Sequence, residues 1–487
     1  MQALGTMRGC TVHPCLFSEG NGGILENNTS LDKEMMGEDT YFRLRRITDE
    51  ILKEAASDNT ELATLIDGTI DRILQQVDLS EKLQRMFRKC MLNTITTTLV
   101  QKKDDSAFLF TGDIPAMWLR DSGGQLRVFL NLDDASGKLY DVIGAVIRQQ
   151  FRYIRLDPYT NAFNFGGNGN CWSEIDQSER SNPWSWERKY ELDSLCFPVE
   201  LAYFYWKQTA RVDLFDEGFL AAIKELIRVF RVEQHHEACS EYFFIRNNGI
   251  EQDSLPNQGR GTKVGYTGMI WSGFRPSDDA CEYGYLLPAN MFAVVILGYL
   301  EEMVVAFYPK EMELLTAITT MKKEVQEGID KFGIIDHPKY GKIYAYEVDG
   351  LGNSNIMDDT GVPSLLSLPY IKYCDADEAI YQNTRRFSLS KDNRYYFEGT
   401  AAKGLGSPHT PPEYVWHMGL AIQGLTSIDD AECQELLRLF ETTDAGTELT
   451  HEGFLADDPT VYTREWFSWS NSIFCEFILK EIGKWKL

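Results

Sequence analysis

At 487 residues the chain has room for two or three average domains, or for one large barrel or toroid. Its composition, 43% hydrophobic and 25% charged, is that of a globular protein. A formal charge of −25 argues against nucleic acid or an anionic membrane surface as partner, because both reward basic patches.

Residues 1–40 lack an apolar signal core and read as a poorly ordered lead-in, with 41–487 as a single domain. With no signal visible, a cytoplasmic location is expected unless a signal peptide was removed. No run approaches about 18 consecutive apolar residues, so no membrane-spanning helix is expected. The ten cysteines are widely scattered, Cys10 and Cys15 being the closest two, and none shows zinc-site spacing. Reduced, mostly buried thiols are the reading for a chain of this size.

From residue 41 onward one unit recurs: a polar, aromatic loop carrying acids, followed at once by an apolar, helix-like segment. Six such units occur in chain order, at 113–130, 184–206, 273–300, 355–371, 407–427 and 463–482. Between them lie charged segments at 80–100, 139–154, 214–232 and 310–333, whose apolar residues recur every three or four positions. Inner helices introduced by functional loops, alternating with amphipathic outer helices, predict an all-α (α/α)6 barrel. Such a toroid gathers its loops around a pocket at one end. Strand signals are few; 240–247 and 342–348 predict small β-hairpin insertions.

The loops hold most of the chemistry. Their acids include Asp113 and Asp121, Glu187, Glu191 and Asp193, Asp278 and Asp279, Asp358 and Asp359, Glu413, Glu452 and Glu465. Acids at helix starts commonly serve as caps, but these keep company with tryptophans and arginines. Aromatic faces beside hydrogen-bonding groups suit a sugar, and glycosidic hydrolysis needs two carboxyl groups in opposite protonation roles. Other chemistries fit less well. The glycines at 166–170 lack the Lys-Ser/Thr of a phosphate loop. His235 and His236 point apart on a helix, which favours a solvated face over zinc. No Gly-x-Ser-x-Gly elbow is present.

The motifs "PAMWLRDSGGQ", "KYELDSL", "SGFRPSDDA", "YLLPANMF", "PHTPPEYVWHMGL" and "HEGF", in that order, resemble glycoside hydrolase family 125, the exo-acting α-1,6-mannosidases. The resemblance runs from about residue 40 to the C-terminus. It implies an (α/α)6 barrel and an inverting reaction needing no metal or other cofactor. It also implies an α-mannoside oligosaccharide substrate; a monomer or weak homo-oligomer is expected. By motif, it implies Asp279 as general acid and Glu452 as general base, about 6.5–9.5 Å apart to admit a water.

Adjacent residues in a turn project differently, so Asp278 and Asp279 cannot easily face one sugar together. A neighbouring carboxylate favours the protonated form a general acid needs, which suits Asp279 as donor. Asp278 is then expected to cap a helix beginning near Ala280 or to bind Arg275. Trp118, Arg120 and Asp121, from the first loop, are the leading candidates for substrate binding. Glu191, Asp193, Arg275, His409, Glu413 and Arg464 follow, with loop-to-loop salt bridges as their alternative role. His417 and Met418 read as packing residues. Other functions that fit the same residues are an inverting α-glucosidase, a disaccharide phosphorylase of this barrel class, and an inactive sugar-binding module.

Overall fold

The computed structural model describes residues 38–487. Most of the expected lead-in, with Cys10 and Cys15, lies outside the described residues. Helix is already present from Glu38, so residues 38–40 belong to the first helix.

Three helices open the described chain: α1 (Glu38–Lys53), α2 (Thr60–Leu74) and α3 (Glu81–Asn93). Then inner and outer helices alternate, with one inner helix missing from the series. They run α4 (Leu119–Arg127), α5 (Lys138–Leu156), α6 (Leu192–Thr209), α7 (Glu217–Gln234) and α8 (Leu287–Phe307). The series continues with α9 (Met312–Phe332), α10 (Ala379–Ser388), α11 (His417–Leu425), α12 (Asp430–Thr443) and α13 (Ser468–Glu481). Helix α4 packs on α6, α6 on α8, α11 on α13 and α13 back on α4. Outside this ring α5 lies against α6 and α7, α9 against α8, α12 against α11, and α3 against α13. The fold is the expected (α/α)6 barrel.

Sequence explains the two layers. Outer α7 buries one stripe, including Phe219, Ile223, Leu226 and Phe230, and Asp216 caps its N-terminus by accepting from the Phe219 amide at 2.8 Å. Inner α4 is buried on every side. Its Gly123-Gly124 pair permits that crowding: a Cβ on Gly124 would lie 2.1 Å from the Trp469 indole nitrogen on α13. Helix α8 is long and apolar enough to cross a membrane by length and composition, yet half of that window is buried inside the protein.

One expected inner helix does not form. Residues 355–371 make a buried series of turns. Pro363 and Pro369 supply no amide donors, and Asp358 captures the Leu365 and Leu366 amides at 2.8 and 2.9 Å. The turns still close the ring: Arg127 of α4 bonds the Tyr370 carbonyl at 3.1 Å, Glu200 of α6 at 3.1 Å and Glu476 of α13 at 3.5 Å.

Short strands aim the loops. Met117–Trp118, Tyr285–Leu286 and Tyr414–Trp416 each lead directly into an inner helix. The predicted hairpins form differently. Phe244–Arg246 pairs with the distant Asp176–Ser178. The 342–348 stretch divides between a hairpin with Ile334–His337 and a second sheet beside Tyr285–Leu286. His236 is no solvated residue: it is buried, bonds Glu233 at 2.7 Å and stacks on Trp271 at 3.7 Å.

Candidate active site

Arg120, in the first turn of α4, is the centre of one wall. Its guanidinium reaches Asp121 at 2.8 Å, Glu191 and Asp193 at 3.1 Å, and Asp278 at 3.0 Å. So many acids around one arginine cannot all be ionised without a large desolvation cost. Burial pushes Asp121 up to about 6 and Asp193 up to about 7, against the pull of Arg120. Glu191 is also pushed up by burial, with Asp278 adding to the effect.

Asp278 is the exception. Burial works against its charge, but Arg120, with Lys189 and His409, holds it well below the usual carboxylate range. The Trp118 indole and the Asn161 amide also donate to it, each at 3.3 Å. Its backbone is left-handed, φ 66°. It does not cap a helix at Ala280, since α8 begins only at Leu287, and its carboxylate goes to Arg120 rather than Arg275, whose carbonyl accepts only its backbone amide, at 2.9 Å. Arg275 turns away to Glu347 at 2.6 Å.

Asp279 sits in a different setting. Ser277 donates to its Oδ2 at 3.3 Å, and His409 Nδ1 lies 3.2 Å from its Oδ1. The side chain of Asp279 is only 6% exposed, whereas that of His409 is 40% exposed. Desolvation opposes a charge on His409, but Asp279, Glu452 and Asp278 outweigh it and raise the imidazole to about 9.

Glu452 comes from a separate loop. It precedes the strand Gly453–Leu455, whose pairing sets Gly453 opposite Trp416. Arg464 Nη1 stands 3.5 Å from Glu452 Oε1. The same guanidinium is forked onto Asp113, with Nε 3.0 and 3.1 Å from the two carboxylate oxygens. Beneath this strand His417 Nδ1 accepts the His451 amide at 3.0 Å, so His417 orders the backbone just before Glu452 as well as packing.

These walls enclose a cavity of about 450 Å³, its open mouth included. Of the candidates read from sequence, Trp118, Arg120, Asp121, His409, Glu452 and Arg464 line it. Asp278 lines it too, while Asp279 lies behind, joined to it through His409. Glu191 and Asp193 are buried behind Arg120. Glu413 is exposed and holds the loop only through its carbonyl, which accepts from Ala456 at 2.9 Å. Met418, read from sequence as a packing residue, lines the cavity as well, as do Trp416 and Trp469, and the loop acid Asp113 lies behind Arg464. Trp416 and Trp469 stand beside the loop acids, a usable signal; Asn161 carries none.

Indole faces, ionisable carboxyl groups and forked arginines around a small cavity suit a polyhydroxylated ring, and on a helical toroid they define the (α/α)6 glycoside hydrolases. The family profile described as metal-independent alpha-mannosidase (GH125) matches residues 80–479. The chain belongs to that family, as its motifs imply.

Two relatives agree. The meiotically up-regulated gene 157 protein of Schizosaccharomyces pombe is 39% identical over 448 residues, 88% of this chain and 87% of its own. A solved Streptococcus pneumoniae structure, from a family of metal-independent alpha mannosidases and in a non-productive complex with α-1,6-mannobiose, is 44% identical. It superimposes with a TM-score of 0.83 over 86% of this chain and 98% of its own. A bacterial glucoamylase bound to acarbose shares the fold alone, at a TM-score of 0.52 and 12% identity over 82% of this chain and 55% of its own.

Proposed function

We propose that this glycoside hydrolase is an exo-acting, inverting α-1,6-mannosidase that removes terminal mannose from manno-oligosaccharides or N-glycan fragments. The observation that carries the reading is that Glu452 and His409, the partner of Asp279, reach one cavity from separate loops. Asp279 protonates the departing glycosidic oxygen. Glu452, steadied by Arg464, takes a proton from the water that attacks the anomeric carbon from the opposite face. Asp278, kept ionised by Arg120, is unsuited to donating a proton and instead orders the wall. The α-1,6 linkage is supported by the mannobiose in the pneumococcal relative.

The test is turnover of α-1,2-, α-1,3- and α-1,6-linked mannobiose and matching α-glucosides, with and without inorganic phosphate. Selective cleavage of the α-1,6 mannobiose without phosphate is expected. Preference for a glucoside, or dependence on phosphate, would overturn the reading.

A further inference from the structure

In an inverting turnover one proton leaves the general acid for the departing oxygen and another arrives on the general base from water. The cycle closes only when the base releases its proton and the acid regains one. Glu452 lines the cavity, with 7% of its side chain exposed. Asp279 does not line it, and its side chain is 6% exposed. Its side-chain hydrogen-bond partners among the described residues are Ser277, through a hydroxyl that remains neutral, and His409. His409 is the titratable partner and is 40% exposed at the cavity.

We propose, building on the mannosidase reading, that His409 is the proton conduit of the general acid, loading Asp279 from solvent before each cleavage. The imidazolium passes its Nδ1 proton to Asp279 Oδ1 across the 3.2 Å contact. Asp279 delivers that proton as the C1–O bond breaks, leaving a carboxylate beside a neutral imidazole. The exposed ring then turns and takes a replacement from water, balancing the one Glu452 gives up. The groups facing His409 suit this duty. Asp279, Glu452 and Asp278 are the acids whose charges favour its protonated form, the Trp416 ring meets it edge-on at 6.4 Å, and its own amide is tied to Ser407 Oγ at 3.2 Å.

The experiment compares wild type with His409→Gln and His409→Asn on two substrates. α-1,6-Mannobiose needs a proton on its leaving oxygen; 2,4-dinitrophenyl α-mannoside does not. Both variants are expected to lose about 100-fold or more in kcat on mannobiose, the usual scale of general acid catalysis. Their loss on the aryl mannoside should be smaller by about tenfold or more, and the alkaline limb of their mannobiose profile should move to lower pH. Asparagine still donates a hydrogen bond near the Nδ1 position but carries no exchangeable charge, so wild-type turnover by that variant would overturn the conduit. Equal losses on both substrates, the mark of a structural role, would overturn it as well. A wild-type enzyme inert toward mannobiose would instead remove the underlying substrate reading, and the conduit with it.

Discussion

Arg120 Nη2 stands 3.0 Å from Asp278 Oδ1, and this contact divides two adjacent aspartates by chemistry. Asp278 is bound as an anion, while Asp279, one residue on, faces His409. Asp279→Asn should therefore lower kcat on α-1,6-mannobiose by about 10²–10⁴-fold, the range for removal of a general acid. Asp278→Asn loosens Arg120 and should act mainly on KM. Steady-state kinetics of both variants decides; a dead Asp278→Asn beside an active Asp279→Asn would reverse the roles.

Arg464 joins Glu452 to Asp113, which has 1% of its side chain exposed. Arg464→Met removes the cation from the base and leaves Asp113 buried without its partner. Breaking such a pair costs about 3 kcal/mol, so the thermal midpoint should fall together with kcat. Glu452→Gln leaves that pair intact, and it should lose turnover while keeping wild-type stability.

Gly124 lets the Trp469 indole close against α4. Gly124→Ala puts a methyl where the indole nitrogen now lies and should destabilise the fold by about 1–3 kcal/mol, the usual cost of overpacking. Because Trp469 lines the cavity, kcat/KM should fall with it. An unchanged melting curve and unchanged kinetics would show that α13 shifts freely.

Buried acids set the pH dependence of stability. Burial raises Asp121 and Asp359 to about 6, and Asp193, Glu200 and Asp358 to about 7. Their folded values lie above the unfolded ones near 4, so their stabilisation is complete below about pH 4 and is lost as pH rises through 6–7. His451 works oppositely: burial lowers it to about 4, so its contribution is present above about 6.5 and is lost toward pH 4. Five acids outweigh this histidine and its depressed neighbour His417. The thermal midpoint should be higher near pH 5.5 than near pH 8; a rise over that interval would contradict the assignment.

Local pattern carried most of the fold. Five of the six loop-and-helix units became inner helices because an apolar run after a polar loop has one way to bury itself in this ring. The remaining unit, at 355–371, failed where Asp358 held two amides and two prolines supplied none. Roles set by distant partners were not legible. Proximity in sequence pointed Asp278 at Arg275, whereas its partner Arg120 is 158 residues away. Arg464 and Asp113 are 351 residues apart, and nothing local to either announces the other.

The central claim is inversion by Asp279 and Glu452 at an α-1,6-mannoside. Proton NMR of α-1,6-mannobiose cleavage, followed from the first minutes before mutarotation, tests it most directly. The account predicts β-mannose as the first product released. Initial release of α-mannose would contradict it.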